Sequence, residues 1–350
     1  MKQLYTMLAL LGLLLVATVP VPAQAQQEPK PIPVVTGYGG FTASFEPGKQ
    51  TLNPVLNPIL LVPLGQRALI ETEFEMESDI EREDGLWGPK VLEKNVEYLQ
   101  LDYFAHRNLT VVVGRFLTPF AIFNERLHPN WIKNLQETPL IFGMSHGSST
   151  GGMLRGGVRL GSDVNLDYAA YFSVLSTQKY LEAERSAGGR WSLFFPRRRF
   201  EAGFSFNRRL GEERFNSYGF DATWNVRRIP LDMRSEYARS ELGSGYWIEA
   251  AYRLNRVPRW RGFFRRSQAV VRGEQFFAPA HAEGMGTEEP IAEGEAHEML
   301  PEVDTQRVHF GWNFYIRDGL KLSFAYGRSF SSERDRNLWS IGIAYRFLYW

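Results

Sequence analysis

Four glutamates, Glu71, Glu73, Glu75 and Glu77, alternate with Ile70, Thr72, Phe74 and Met76. Spacing of two places all four carboxylates on one face of a strand. That face cannot lie in a dry sandwich core, because burying unpaired carboxylates costs far more than packing returns. Water must reach it. In a soluble sheet the glutamates would form the solvent face, so one strand leaves two folds open.

The same alternation recurs along the chain. Val308, Phe310, Trp312 and Phe314 oppose Arg307, His309, Gly311 and Asn313, and Ile248, Ala250 and Tyr252 oppose Glu249 and Arg253. Counting by alternation and turn chemistry predicts strands near 34–45, 55–63, 67–78, 95–104, 109–117, 152–160, 164–175 and 188–195. It adds 200–208, 215–226, 231–240, 245–254, 267–277, 305–316, 320–330 and 337–348. These are sixteen; without the Pro-rich 55–63 and the short 188–195 there would be fourteen. With all sixteen, tight turns at 64–66, 106–108, 161–163 and 317–319 fall on one side and the insertions 79–94, 118–151, 176–187 and 278–304 on the other. The basic segment Asn255 to Arg266 is the exception, moderately long on the short-turn side. The expected fold is all-β: a transmembrane antiparallel barrel with short periplasmic turns, long outer loops, apolar residues in lipid and polar residues in the lumen.

Residues 1–25 carry Lys2, an apolar run from Leu4 to Val19 and the small-residue site Ala23-Gln24-Ala25, the layout of a secretory signal peptide. The mature chain, 26–350, is then expected to be a single outer-membrane barrel domain. Removing Lys2 from the 40 basic residues leaves 39 against 39 acidic ones, which gives no argument for nucleic acid as a partner. Without cysteine there are no disulfides and no thiolate chemistry. No segment after the leader has the continuous apolar length of a spanning helix, whereas 14% aromatic content suits strands with aromatic girdles.

Trp339 to Phe347, with every odd residue bulky and apolar, resembles the C-terminal strand that outer-membrane barrels present to their assembly machinery. Leu348-Tyr349-Trp350 extends beyond the usual terminal aromatic. The pair Leu99–Phe104 and Val113-Gly114-Arg115-Phe116-Leu117-Thr118-Pro119-Phe120 resembles the phosphate-selective porin family and its broader porin relatives, as do Arg234–Tyr237 and Gly245–Arg253. The resemblance implies a sixteen-stranded, trimeric diffusion channel in the bacterial outer membrane, with lipid and lipopolysaccharide around it. It does not bring phosphate selectivity, because carboxylates accompany the arginines on the lumen face.

A porin wall acts through pore size and rings of charge. The expected pore-lining cations are Arg115, Arg155, Arg159, Arg190, Arg234, Arg253, Arg272, Arg307 and Arg346, and the anions Glu71, Glu73, Asp102, Asp167, Asp221, Glu236, Glu249 and Glu274. The stretch 118–150 abandons alternation and, as the third outer loop, is expected to fold inward. Asn124, Glu125, Arg126, His128, Lys133 and Glu137 would then face solutes, while Phe120, Phe123, Trp131 and Leu135 pack against the wall. A hydrolase would need a Ser-His or Asp-His set at the rim, and the six histidines are scattered without metal-ligand spacing. Gly147–Gly152 lacks the Lys-Ser/Thr of a phosphate loop. The sequence thus points to no enzyme, cofactor or metal, and to a passive channel for small hydrophilic solutes, leaning weakly to anions if biased. The alternative is a structural or adhesive barrel acting through its outer loops without an open pore.

Overall fold

The computed structural model describes residues 32–83, 85–88, 92–144, 147–178, 181, 183–211, 214–258, 260–279, 300–332 and 335–349. The expected signal peptide and the acidic stretch 283–299 lie outside the described residues.

Eighteen strands form one antiparallel sheet: β1 (Val34–Glu46), β2 (Lys49–Leu64), β3 (Ala68–Glu77), β4 (Ile80–Glu83), β5 (Leu86–Trp87), β6 (Glu93–His106), β7 (Leu109–Leu117), β8 (Ser148–Leu160) and β9 (Val164–Ser173), then β10 (Ser186–Phe195), β11 (Phe200–Arg209), β12 (Asn216–Val226), β13 (Leu231–Ser240), β14 (Gly243–Arg253), β15 (Ser267–Phe277), β16 (Thr305–Arg317), β17 (Leu320–Ser331) and β18 (Arg336–Tyr349). β4 and β5 pair with each other and extend the β2 edge as a ribbon in an outer loop, so sixteen strands make the wall. β1 pairs β18 from Val35↔Tyr349 to Phe45↔Trp339, which closes the sheet on itself and removes its edges. Sixteen wall strands, not fourteen, are present.

Alternation decides which face is lipid. Phe41, Leu101, Phe172, Trp191, Phe220, Ile248, Phe310 and Ile341 are all exposed, on the side opposite the charged residues. In water so much apolar surface would drive association; in a bilayer it is solvated by lipid. Fold and outer surface together make this a barrel of the bacterial outer membrane.

Two details differ from the expectation. β2 begins at Lys49 rather than 55, running through Pro54 and Pro58, which pair with Phe41 and Gly37. The cost appears on the other side, where the β2–β3 ladder skips from Leu56↔Met76 to Ile59↔Glu73 around Pro58, which has no N–H to donate. Next to that gap, Glu97 bulges from β6 between Val96 and Tyr98.

The basic segment 255–266 also gains an explanation. It carries a one-turn helix, Arg261–Phe264, whose Phe263 ring stacks on Trp312 and Phe314 of the lipid-facing side, with centroids 5.9 and 5.1 Å apart. Apolar rings under a basic turn at the short-turn rim suit a membrane interface.

Candidate functional site

The segment 118–144, between β7 and β8, lies against the inner wall. Some of its backbone groups bond within the loop, as Ile132 N–H does to the Pro129 carbonyl, and others are met by inward side chains. Glu236 of β13 accepts the N–H of Ile122 at 2.6 Å and that of Phe123 at 2.5 Å, at the start of the one-turn helix Phe123–Arg126, and the indole N–H of Trp247 at 2.9 Å. Ser205 Oγ accepts the N–H of Ala121, and Glu274 that of Leu140. In the opposite sense, Arg272 donates to the carbonyl of Glu137, Arg307 to that of Thr138, Asn313 to that of Asn134, and Lys321 Nζ to those of Asn130, Trp131 and Lys133. These fastenings come from β11, β13, β15, β16 and β17, and Arg155 of β8, Glu73 of β3 and Ser44 of β1 hold the loop from the other side.

Apolar contacts complete the attachment. Phe120, Ile122, Phe123, Leu127, Ile141 and Met144 pack with Ala238, Trp247 and Phe276, forming the largest buried cluster. Three wall glycines make room. A Cβ on Gly219 would meet Phe120 at 2.9 Å, one on Gly245 would meet Ile141 at 2.7 Å, and one on Gly311 would meet Leu135 at 2.5 Å. All three face inward, so the missing side chains are seats for the loop.

Many of the expected pore-lining charges are engaged by this architecture. Arg272 (1% exposed), Glu274, Glu249, Glu236 and Asp221 are buried. Arg272 meets Glu274 at 2.8 Å and Glu249 at 3.8 Å, and Arg307 meets Glu274 at 3.0 Å. Arg126 of the loop pairs with Glu201, which also pairs with Arg190, and Arg190 reaches Asp221 at 2.6 Å. Glu73 accepts from Tyr38 at 2.8 Å, Asn57 at 2.9 Å and His128 at 3.3 Å. Arg115 is buried with its Nε on the Val96 carbonyl, and Asp102 accepts from Gln100.

Other expected residues stay within reach of solvent. Arg155 pairs with Glu125 at 2.9 Å, Glu71 and Asp167 are half-buried, and Arg159 is exposed and folded onto its own turn carbonyls. Arg234 pairs with Asp232, Arg253 lies over the Tyr315 ring and Arg346 over that of Trp131.

Among the loop residues expected to face solutes, Asn124 does not. It is 1% exposed and its amide donates to the carbonyls of Thr118 and Gly147, joining the two ends of the loop. A short side chain that mimics a backbone turn explains why a polar residue is consumed there. His128 sits between Glu73 and Glu97, Lys133 lies 5.3 Å over the Phe123 ring, and Glu137 accepts from Ser44 at 3.4 Å. Burial lifts the Glu137 carboxyl above the usual carboxylate range, and Arg307 and Arg272 pull it only part of the way back.

Sequence reasoning missed Glu201, Lys321, Asn134 and the glycine seats. Lys321 carried a signal, since it stands on the polar face of 320–330. The glycines carried none.

Two cavities flank the loop. One of about 840 Å³ opens at the short-turn end and includes Trp131, Ile132 and Asn134 in its lining. The other, about 380 Å³, opens at the outer end and includes Asn130, Lys133 and Gln136. A polar interior, a loop fastened across it and an aqueous chamber at each end define the site. The fold is porin-like. Solved structures similar to it include the anion-selective porin of Comamonas acidovorans (TM-score 0.57, 9% identity, 91% of this chain and 100% of that one). The outer membrane channel DcaP of Acinetobacter baumannii is similar at TM-score 0.53 and 11% identity, over 93% and 100% of the two chains. A mutant of Rh. blastica porin is similar at TM-score 0.54 and 11% identity, over 90% and 100%. No protein-family model matches the chain, and no curated sequence matches it. The likeness is one of fold across the whole porin-like barrel; the phosphate-selective branch is not singled out by it.

Proposed function

We propose that the mature chain is a passive diffusion channel for small hydrophilic solutes across the bacterial outer membrane, constricted by loop 118–147. The observation that carries this reading is the pair of chambers lined by charged side chains, one at each end of the loop, inside a closed sixteen-stranded wall. Nothing in a structural or adhesive role calls for wide chambers at both ends. Glu125, Arg126, Lys133 and Arg155 line the passage and sieve solutes, and the buried ion pairs hold the loop in place. Export rests on the signal-peptide layout of residues 1–25, insertion on recognition of the closing strand β18 by the assembly machinery, and trimer formation on the porin resemblance. Outer loops contact lipopolysaccharide.

Liposome swelling tests the proposal. Vesicles carrying the folded protein should swell in small neutral sugars at rates that fall steeply with sugar size. Rates equal to those of protein-free vesicles for every sugar would overturn it.

A further inference from the structure

The two chambers carry opposite charge. Among the described residues, the outer chamber is lined by seven acidic side chains, including Glu46, Glu75 and Asp79, against Lys49, Lys133 and His128. The chamber at the short-turn end is lined by seven basic side chains, including Arg234, Arg253, Arg265, Arg266, Arg317 and Arg346, against Asp232 and Asp318. The separation follows the loop chain itself. Lys133 and Glu137 turn toward the acidic side, whereas Trp131, under the Arg346 guanidinium, turns toward the basic one.

Several of the cations are held by contacts that leave their charge in place. Arg253 lies over Tyr315 at 4.9 Å and Arg317 over Tyr345 at 5.5 Å; Arg346 lies over Trp131 at 4.7 Å and also meets the exposed Asp318 at 3.8 Å. Stacking fixes a guanidinium without neutralising it, unlike pairing with a carboxylate. In a narrow, low-dielectric mouth, fixed charge of one sign concentrates mobile ions of the other.

We infer that the chain is an axial ion rectifier: cations are gathered in the outer chamber and anions in the periplasmic one, and current passes more readily in one direction. This rests on the channel reading above. When the outer side is positive, the field drives cations from the acidic chamber and anions from the basic chamber toward the loop, where carriers accumulate and conductance is high. When the outer side is negative, both kinds are drawn away from the loop and conductance falls. A transverse arrangement of charge at the constriction alone has no such polarity, since it looks the same from either end.

The test is current recorded at equal and opposite voltages across a planar bilayer. The chain has no cysteine, so Glu241→Cys in an outer turn, labelled with a membrane-impermeant thiol reagent, reports which face is which. In roughly 0.1 M KCl, where the screening length is about 10 Å, the current with the outer side positive should exceed the reverse by about twofold; at about 1 M, with about 3 Å screening, the ratio should approach unity. Arg253→Gln combined with Arg317→Gln should lower the low-salt ratio while conductance persists. The salt series on the unaltered chain decides the matter even where that variant folds poorly. Steps of conductance with equal currents in both directions at low salt would overturn the axial polarity and leave the channel standing. Absence of any conductance would overturn both.

Discussion

Glu236 holds three donors from two directions, the loop amides of Ile122 and Phe123 and the indole of Trp247. Its removal leaves all three inside a buried cluster without an acceptor, at a cost of about 1–3 kcal/mol for each group. Glu236→Ala should therefore speed amide hydrogen exchange at Ile122 and Phe123 about tenfold or more while strand amides of β13 stay protected. Unchanged exchange at both positions would show that the apolar cluster alone holds the loop. Glu137 makes a prediction in pH. Its folded carboxyl is raised, with burial as the first cause, so the folded state binds the proton more tightly than the unfolded chain does. The stabilisation is present below the ordinary carboxylate value and is lost as pH rises through the raised one. Thermal unfolding in detergent should accordingly show the parent losing stability relative to Glu137→Gln as pH rises above the ordinary carboxylate range; parallel curves would contradict the assignment.

At the level of elements, the wall was legible and the loop's attachment was not. Most wall strands follow from period-two alternation, because one face must satisfy lipid and the other water at every pair of positions, and 55–63 and 188–195 follow from the alternation of short and long connections. Strand ends shifted where the ladder continues past the point at which alternation fades, as at Lys49 in β2 and Ser148 in β8. That the loop is a long break in alternation was visible. Its partners were not: Phe123 meets Glu236 across 113 positions, and Lys133 meets Lys321 across 188. No local period reports such pairs. The seats at Gly219, Gly245 and Gly311 were equally hidden, since an inward glycine reads only as small. They offer the sharpest test of loop packing. Gly311→Ala places a methyl where Leu135 sits, and overpacking of this kind costs roughly 1–3 kcal/mol. Leu135→Ala in the same chain should recover part of that loss in thermal unfolding. Additive losses would mean that the two residues do not share a space.

For the whole molecule, closure and charge distribution carry the account. The β1–β18 ladder leaves no edge in the sixteen-stranded wall, so the folded chain should resist detergent until heated and shift in gel mobility on boiling. As a trimer it should migrate unheated at about three times its monomer mass; migration as a monomer under mild detergent would remove the trimer from the picture without touching the barrel. The interior is divided by one loop into two chambers of opposite sign, and the buried ion pair of Arg272 with Glu274, both bonded to the loop backbone, fixes that loop. Breaking such a pair by deleting one partner costs roughly 3–5 kcal/mol, enough to keep the loop in one position through ordinary fluctuations. Single-channel recording of the folded protein beside a variant lacking residues 124–137 shows whether this loop limits the pore. The parent should conduct in discrete steps, and the deletion should raise the step size severalfold, because sixteen strands without a plug enclose a wide aqueous lumen. A parent that never conducts, or a deletion whose steps match the parent's, would contradict a channel limited by this loop.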